Sequence, residues 1–289
     1  MKCLAIQTGK LIDKRSVSNT LVDMNLLTSF VEAKSLWAIG KSPGESSLTN
    51  FFLTQHSIER AIRKERLSGI ALPGASLLLR RDRDFSHLYI NFSDLEVLKS
   101  QLEQLTIETP LVADVIQRDN SHEKMISVLE DAGFTPHRLL FRLNRPIQVP
   151  EDSTSGAKVQ LAHYSNAEEI LRCLEKYFDK YSEQLPELDE IEEAISMNRI
   201  LISLVDHQLA GFLYFESSGQ SSILRYWFVS PDVRNQNVGS ALIRHYLSAS
   251  CPNASSQLWV VHDNYNAIDK YKHYGYTRDI LEDQIMIRK

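Results

Sequence analysis

The chain has 289 residues, room for one large domain or two of ordinary size, and its 43% hydrophobic and 24% charged residues are those of a water-soluble globular protein. A formal net charge of −5 gives no basic footprint, which argues against nucleic acid as the main partner. No apolar run approaches the ~20 residues of a membrane span, and Cys3, Cys173 and Cys251 lack metal-ligand spacing, so a cytoplasmic chain with reduced thiols, no metal and no membrane partner is expected.

Residues up to about 50 carry no readable pattern. The run Arg80-Arg81-Asp82-Arg83-Asp84 reads as a hairpin turn before a strand at 87–92. Ser93-Asp94-Leu95-Glu96 has the form of a capping box, opening a helix with Leu95, Leu98, Leu102 and Leu105 on one side. A strand at 111–116 follows, then a helix capped by Asn120 with Glu123, then Gly133-Phe134 and a strand at 139–143. Residues 146–156, with two prolines, a glycine and a polar cluster, read as a linker that divides the chain into domains 1–147 and 156–289.

In the second half, residues 165–197 read as two helices around Gln184-Leu185-Pro186. Strands at 200–205, 208–215 and 223–229 follow, joined by Asp206-His207 and by Ser217-Ser218-Gly219-Gln220. Next come a helix with Val238, Ala241, Leu242 and Leu247 on one side, a strand at 258–261, a helix at about 267–274 capped by Gly275, and a last strand at 285–287. This alternation predicts α/β or α+β domains. Gly133-Phe134 recurs as Gly275-Tyr276 after 142 residues, a weak internal repeat.

The stretch from Val229 to Leu242 carries the most chemistry. It reads as the end of a strand, a turn tolerant of left-handed backbone, and the start of a helix. A helix start presents unpaired N–H groups and the positive end of its dipole. A phosphate or pyrophosphate is the natural occupant, which points to a nucleotide-like cofactor.

Three features then converge: the strand end Phe228-Val229-Ser230-Pro231, the turn with Arg234, Asn237 and Gly239, and the segment from Asn264 to Tyr276. Together they resemble the GNAT superfamily of acyl-CoA-dependent N-acetyltransferases over about residues 158–289. The family's turn signature is Gln or Arg, two residues, Gly, any residue, then Gly or Ala. Arg234 to Gly239 match it with one departure, Asn237 in place of a glycine. Asn264, Ala267, Tyr271, Gly275 and Tyr276 fit the family's later pattern without a gap. The resemblance implies an α/β fold of the mixed-sheet α+β kind. It has two GNAT-like domains, each a central, mostly antiparallel mixed sheet flanked by helices, the first of them degenerate.

The resemblance also implies a site for acetyl-CoA as acyl-donor cosubstrate. Gly239 would let the backbone approach the pyrophosphate. The N–H groups of Gln236, Asn237, Val238, Gly239 and Ser240 would cradle it, and Arg234 would add charge. Asparagine tolerates positive φ better than other non-glycine residues, so Asn237 suits the turn while its side chain narrows it. In the family the strand before the turn splays from its neighbour. The backbone of Phe228 and Val229 would therefore bond the pantetheine arm like an added strand and help polarise the thioester carbonyl.

Tyr271 is the candidate proton donor to the departing thiolate, with an unperturbed pKa of ~10. Asn264 either bonds the pantetheine arm or caps the following helix. The general base stays open: water, Glu216 and His262 are candidates, the two side chains standing at strand ends. Arg225 would bind a carboxylate on the acceptor or form a cross-strand ion pair. The acidic run Glu183, Glu187, Asp189, Glu190, Glu192 and Glu193 reads as a solvated helix face, although by resemblance it lies where the acceptor amine enters.

The first half lacks this equipment. A carboxylate-headed helix start replaces the arginine–glycine turn, and at a separation of 142 Tyr271 and Asn264 map onto Leu129 and His122. The expectation is an N-acetyltransferase with one active site, in the second half, acting on a primary amine of a small molecule or a protein, as monomer or homodimer. Two alternatives stay open. One is a non-catalytic acyl-CoA-binding or protein-interaction module, and the other an aminoacyl-tRNA-dependent transferase of related fold.

Overall fold

The computed structural model describes residues 24–40, 48–51, 53–118, 123–147, 158–233, 236–251 and 254–289. The first half contains β1 (Asn25–Leu26), α1 (Phe30–Ile39), β2 (Leu48–Thr49), α2 (Gln55–Arg63), β3 (Leu67–Leu72), β4 (Ala75–Arg81), β5 (Ser86–Phe92), α3 (Leu95–Gln104), β6 (Leu111–Arg118), α4 (Glu123–Asp131) and β7 (Thr135–Arg145). The second contains β8 (Val159–Leu161), α5 (Ala167–Tyr177), α6 (Leu188–Ser196), β9 (Ile200–Val205), β10 (Gln208–Ser218), β11 (Ser221–Val229), α7 (Val238–His245), β12 (Ser255–Val261), α8 (Tyr265–His273) and β13 (Thr277–Arg288). Most of the linker expected at 146–156, along with Asn120, His122 and Arg234, lies outside the described residues.

Local chemistry accounts for these elements. The β9–β10 turn works because Asp206 and His207 both adopt left-handed φ, 49° and 64°, as a two-residue hairpin requires. Helix α3 buries Leu98 and Leu102, four residues apart, against the sheet. Its cap falls one residue later than the sequence suggested: Asp94, not Ser93, accepts the amides of Glu96 and Val97 at 3.0 and 3.1 Å. α4 and α8 are each nine residues long and start 142 positions apart, the spacing of the Gly-aromatic repeat.

All strands join one mixed sheet of 13, in the order β1-β3-β4-β5-β6-β13-β7-β12-β11-β10-β9-β8, with β2 on β5. The centre of that order is an exchange. β13, from the end of the chain, pairs antiparallel with β6 of the first half from Leu281↔Arg118 to Arg288↔Leu111. β7, from the first half, pairs antiparallel with β12 from Ser256↔Arg145 to Val261↔Leu140. β7 and β13 also pair with each other. The last strand is thus 12 residues long rather than the short 285–287 segment, because its early residues pair across the junction.

Helices cover both faces of each half. In the first half α3 and α4 cover one apolar cluster, around Leu88, Ile90 and Val115, and α1 and α2 cover another, around Leu67 and Leu78. In the second half α7 and α8 pack over Leu213, Leu224 and Leu258, and α5 and α6 over Ile202, Phe212 and Tyr226. A fifth cluster at the junction joins Phe85, Val112, Leu140 and Ile285 to Tyr181 of the α5–α6 loop.

Candidate active site

The site begins where two parallel strands part. β11 and β12 pair only from Ser221↔Ser255 to Ile223↔Gln257. Beyond that point β11 stays with β10 and β12 stays with β7, leaving a V between them. A bulge accompanies the opening: Phe215 pairs with Leu224 and Tyr214 with Tyr226, so Arg225 is the extra residue. After it, Tyr226 and Phe228 face α5 and α6, while Trp227 and Val229 face α7 and α8. The backbone of Phe228 and Val229 therefore has no strand partner on the β12 side, as the splayed-strand expectation required.

Helix α7 starts at the open end of β11. Its cap, Asn237, has φ 58° and ψ 12°, so the asparagine takes the left-handed conformation of the glycine it replaces, with no side-chain cap bond. The first bond back to the cap runs from the Ala241 amide to the Asn237 carbonyl, 2.9 Å. The amides of Val238, Gly239 and Ser240 precede it, in the first turn, where helix geometry gives an amide no partner within the helix. A Cβ on Gly239 would lie 3.1 Å from Val229 Cγ2 and 3.3 Å from Trp227 Cζ2, so glycine lets α7 begin close against β11. Trp227 Nε1 is buried there without a hydrogen-bond partner. An anion-ready helix start, an open strand edge and an orphaned donor fit a coenzyme A thioester. Gln236 is exposed at the rim, and Val238 is core.

Tyr271 stands on α8 across the V, 8% exposed, its ring 5.5 Å from Trp227 and 5.6 Å from Tyr276. Burial, with the nearby charge of Glu183, pushes its phenol well above the ordinary value, so it stays protonated at neutral pH. Asn264 caps α8, accepting the Ala267 amide at 3.2 Å, one of its two expected roles.

Glu183 is the functional candidate that the sequence left in a solvated acidic face. It is half-buried in the α5–α6 loop, residues 178–187, and Tyr226 Oη donates to the carbonyls of Glu183 and Gln184 at 2.8 and 2.9 Å. Burial and the charge of Asp179 raise its carboxyl to about 7, against the pull of Arg225 on β11 and Arg138 on β7. It therefore feels charges from β11 and from β7. Its only sequence signal was its place just before the Gln184-Leu185-Pro186 break.

Of the rest of the acidic run, Glu192 is exposed, but the other four residues are not a solvated face. Glu187 pairs with Lys64 at 2.6 Å and with Arg66, Asp189 pairs with Lys64 at 2.7 Å, and Glu190 and Glu193 both pair with Arg60. These pairs fasten α6 to α2 and to the start of β3. Beside them, between α2, the β4–β5 turn, α6, β10 and β11, lies a cavity of about 850 Å³ that includes Tyr214, Glu216, Arg225 and Tyr226. Arg225 Nε is 3.8 Å from Glu216 Oε1, a loose cross-strand pair. His262 does not reach this cavity; it is exposed beyond β12, its ring edge-on to Phe141 at 6.0 Å. No group of three or more His, Cys, Asp or Glu among the described residues could hold a metal.

Comparison with known proteins agrees with this geometry. Residues 160–285 match the family model of the acetyltransferase (GNAT) domain. A search of curated proteins gave no match. Among solved structures, a GCN5-related N-acetyltransferase from Sphaerobacter thermophilus aligns with a TM-score of 0.53 at 12% identity, covering 80% of this chain and 85% of that one. A tandem GNAT protein from the clavulanic acid biosynthesis pathway aligns at 0.54 and 11%, covering 76% and 82%. A GCN5-related N-acetyltransferase from Kribbella flavida aligns at 0.51 and 12%, covering 80% and 94%. At such identities these likenesses are of fold. Residues 160–285 thus match the model of the GNAT acetyltransferase domain and share its splayed strands, a fold that supports acyl transfer.

Proposed function

We propose that the protein moves an acetyl group from acetyl-CoA to an amine acceptor, on a small molecule or a protein. The observation that carries this reading is the meeting, at one splay, of the open α7 start, the buried Tyr271 phenol and the raised carboxyl of Glu183. The amides of Val238, Gly239 and Ser240, with Gln236, Asn237 and Arg234 around the turn, would hold the pyrophosphate. The free edge of Phe228 and Val229 would bond the pantetheine arm. Acetyl-CoA supplies an activated acyl carbonyl when bound.

Glu183 takes the proton that the incoming ammonium must lose before it attacks. A carboxyl near pKa 7 is about half ionised at neutral pH, well matched to that task. The Tyr271 hydroxyl gives a proton to the departing sulfur. Arg225, only loosely held by Glu216, orients an anionic group on the acceptor in the adjoining cavity. Glu183 is preferred to Glu216 and His262 as the base, because burial raises its carboxyl and its charge reaches the Tyr271 phenol.

The test is a screen of amines with acetyl-CoA, read as free thiol. At least one amine is expected to release thiol with the wild type, and Tyr271→Phe to slow it about 100-fold. Acetyl-CoA binding without thiol release from any amine would replace this reading with that of a non-catalytic binding module.

A further inference from the structure

We infer that the first half's own splay serves as the socket for the second half's acceptor loop, with Asp114, through Gln184, positioning Glu183. β5 and β6 pair only at Ser86↔Leu111 and His87↔Val112 before they part. The α5–α6 loop reaches this opening: Gln184 Nε2 donates to Asp114 Oδ2 at 2.6 Å. Behind Asp114 stands His87, fully buried, with Nε2 3.6 Å from Asp114 Oδ1 and Nδ1 2.9 Å from Asp82 Oδ2. Arg80 closes the chain on Asp82 at 3.1 Å. Tyr89 stacks on the His87 ring at 6.0 Å, and Asp283 of β13 lies within reach of the Asp114 charge.

The loop is gripped from other sides as well. Tyr181 packs edge-on against Phe85 and His137 at 5.2 and 5.7 Å. Asp179 accepts from His137 Nε2 at 3.1 Å and from the amides of Tyr181 and Ser182. The Tyr226 hydroxyl donates to the successive carbonyls of Glu183 and Gln184. Glu183 is thus one residue from a residue bonded to a buried charged cluster in the other half of the molecule. Apolar side chains would hold a sheet together as well as such an ionic cluster does. Its link to the α5–α6 loop gives it a different use: fixing where a short loop puts a carboxylate.

This inference rests on the proposed acyl transfer for its catalytic consequence only. Hydrogen exchange on the full chain tests the socket without any substrate. Gln184→Ala and Asp114→Ala are expected to speed exchange of amides 178–187 about 10-fold or more, with Asp114→Asn close to wild type because its side-chain oxygen still accepts the bond. With an amine that the wild type uses, the two alanine variants are expected to lose about 10-fold in kcat at unchanged acetyl-CoA KM, and Asp114→Asn to recover most of it. Unchanged loop exchange in Gln184→Ala, a variant at a half-buried loop position that should not unfold the chain, overturns the socket. Faster exchange with unaltered kcat overturns the positioning role. A wild type that releases no thiol with any amine defeats the acyl-transfer reading instead, and the exchange data still decide the socket.

Discussion

The two halves share one frame and fill it differently. In each, a parallel strand pair opens after two or three register pairs, and a helix starts at the end of the first strand of the pair. In the second half that helix begins at Asn237, left-handed and without a side-chain cap bond. In the first half it begins at Asp94, whose carboxylate already takes the amides of Glu96 and Val97. The first turn of α3 is thus closed by the protein's own side chain. The second contrast lies inside the splays: Trp227, Tyr271 and the reach of Glu183 in one, His87 and Asp114 bonded to a loop of the other half in the other.

The largest effect should come from separating the halves. Residues 1–147 and 156–289 made as two chains leave β6 and β12 each without its exchanged neighbour, and neither is expected to give a cooperative thermal transition alone, whereas mixing them restores one. A second half that folds and binds acetyl-CoA unaided would show the exchange to be dispensable. Next in size is Glu183→Gln. The rising limb of kcat/KM near pH 7 should vanish, with activity down about 100-fold at pH 8. A limb that persists in the variant assigns the base to another group.

Gly239→Ala presses a methyl toward Val229 and Trp227. It should cost about 1–2 kcal/mol in denaturant midpoints and weaken acetyl-CoA several-fold, where Asp94→Ala costs about 1 kcal/mol with no change in acetyl-CoA affinity. The smallest effect is a pH dependence of stability. Burial opposes protonation of His87, but the carboxylates of Asp114 and Asp82 outweigh it and raise its proton affinity. A group raised on folding stabilises fully below its unfolded value of about 6.5, and that contribution is lost as pH climbs through the folded value. Tm should therefore fall more steeply above pH 6.5 in the wild type than in His87→Gln; parallel curves would place no charge on the imidazole.

Parts of this were legible in the chain. The turn from Arg234 to Gly239 and the pattern from Asn264 to Tyr276 are contiguous, and contiguous chemistry can be read from residues alone. The repeat showed as a Gly-aromatic pair because each half needs a left-handed glycine after its helix, at Gly133 and Gly275. The strand exchange left no trace, since β7 and β13 occupy equivalent places and either could satisfy either half. The acidic run was misread because its partners, Arg60, Lys64 and Arg66, lie more than 100 residues away in sequence. Glu183 was named but not recognised: the groups that tune it, Arg225 and Arg138, come from strands that meet only in the folded sheet.

The most direct test of the account is a calorimetric titration of the full chain with acetyl-CoA. One site per chain is predicted, weakened about 10-fold when Asn237→Asp gives α7 the carboxylate that already closes α3, and unchanged by Asp94→Asn. No binding, two sites per chain, or an affinity indifferent to Asn237→Asp would contradict it.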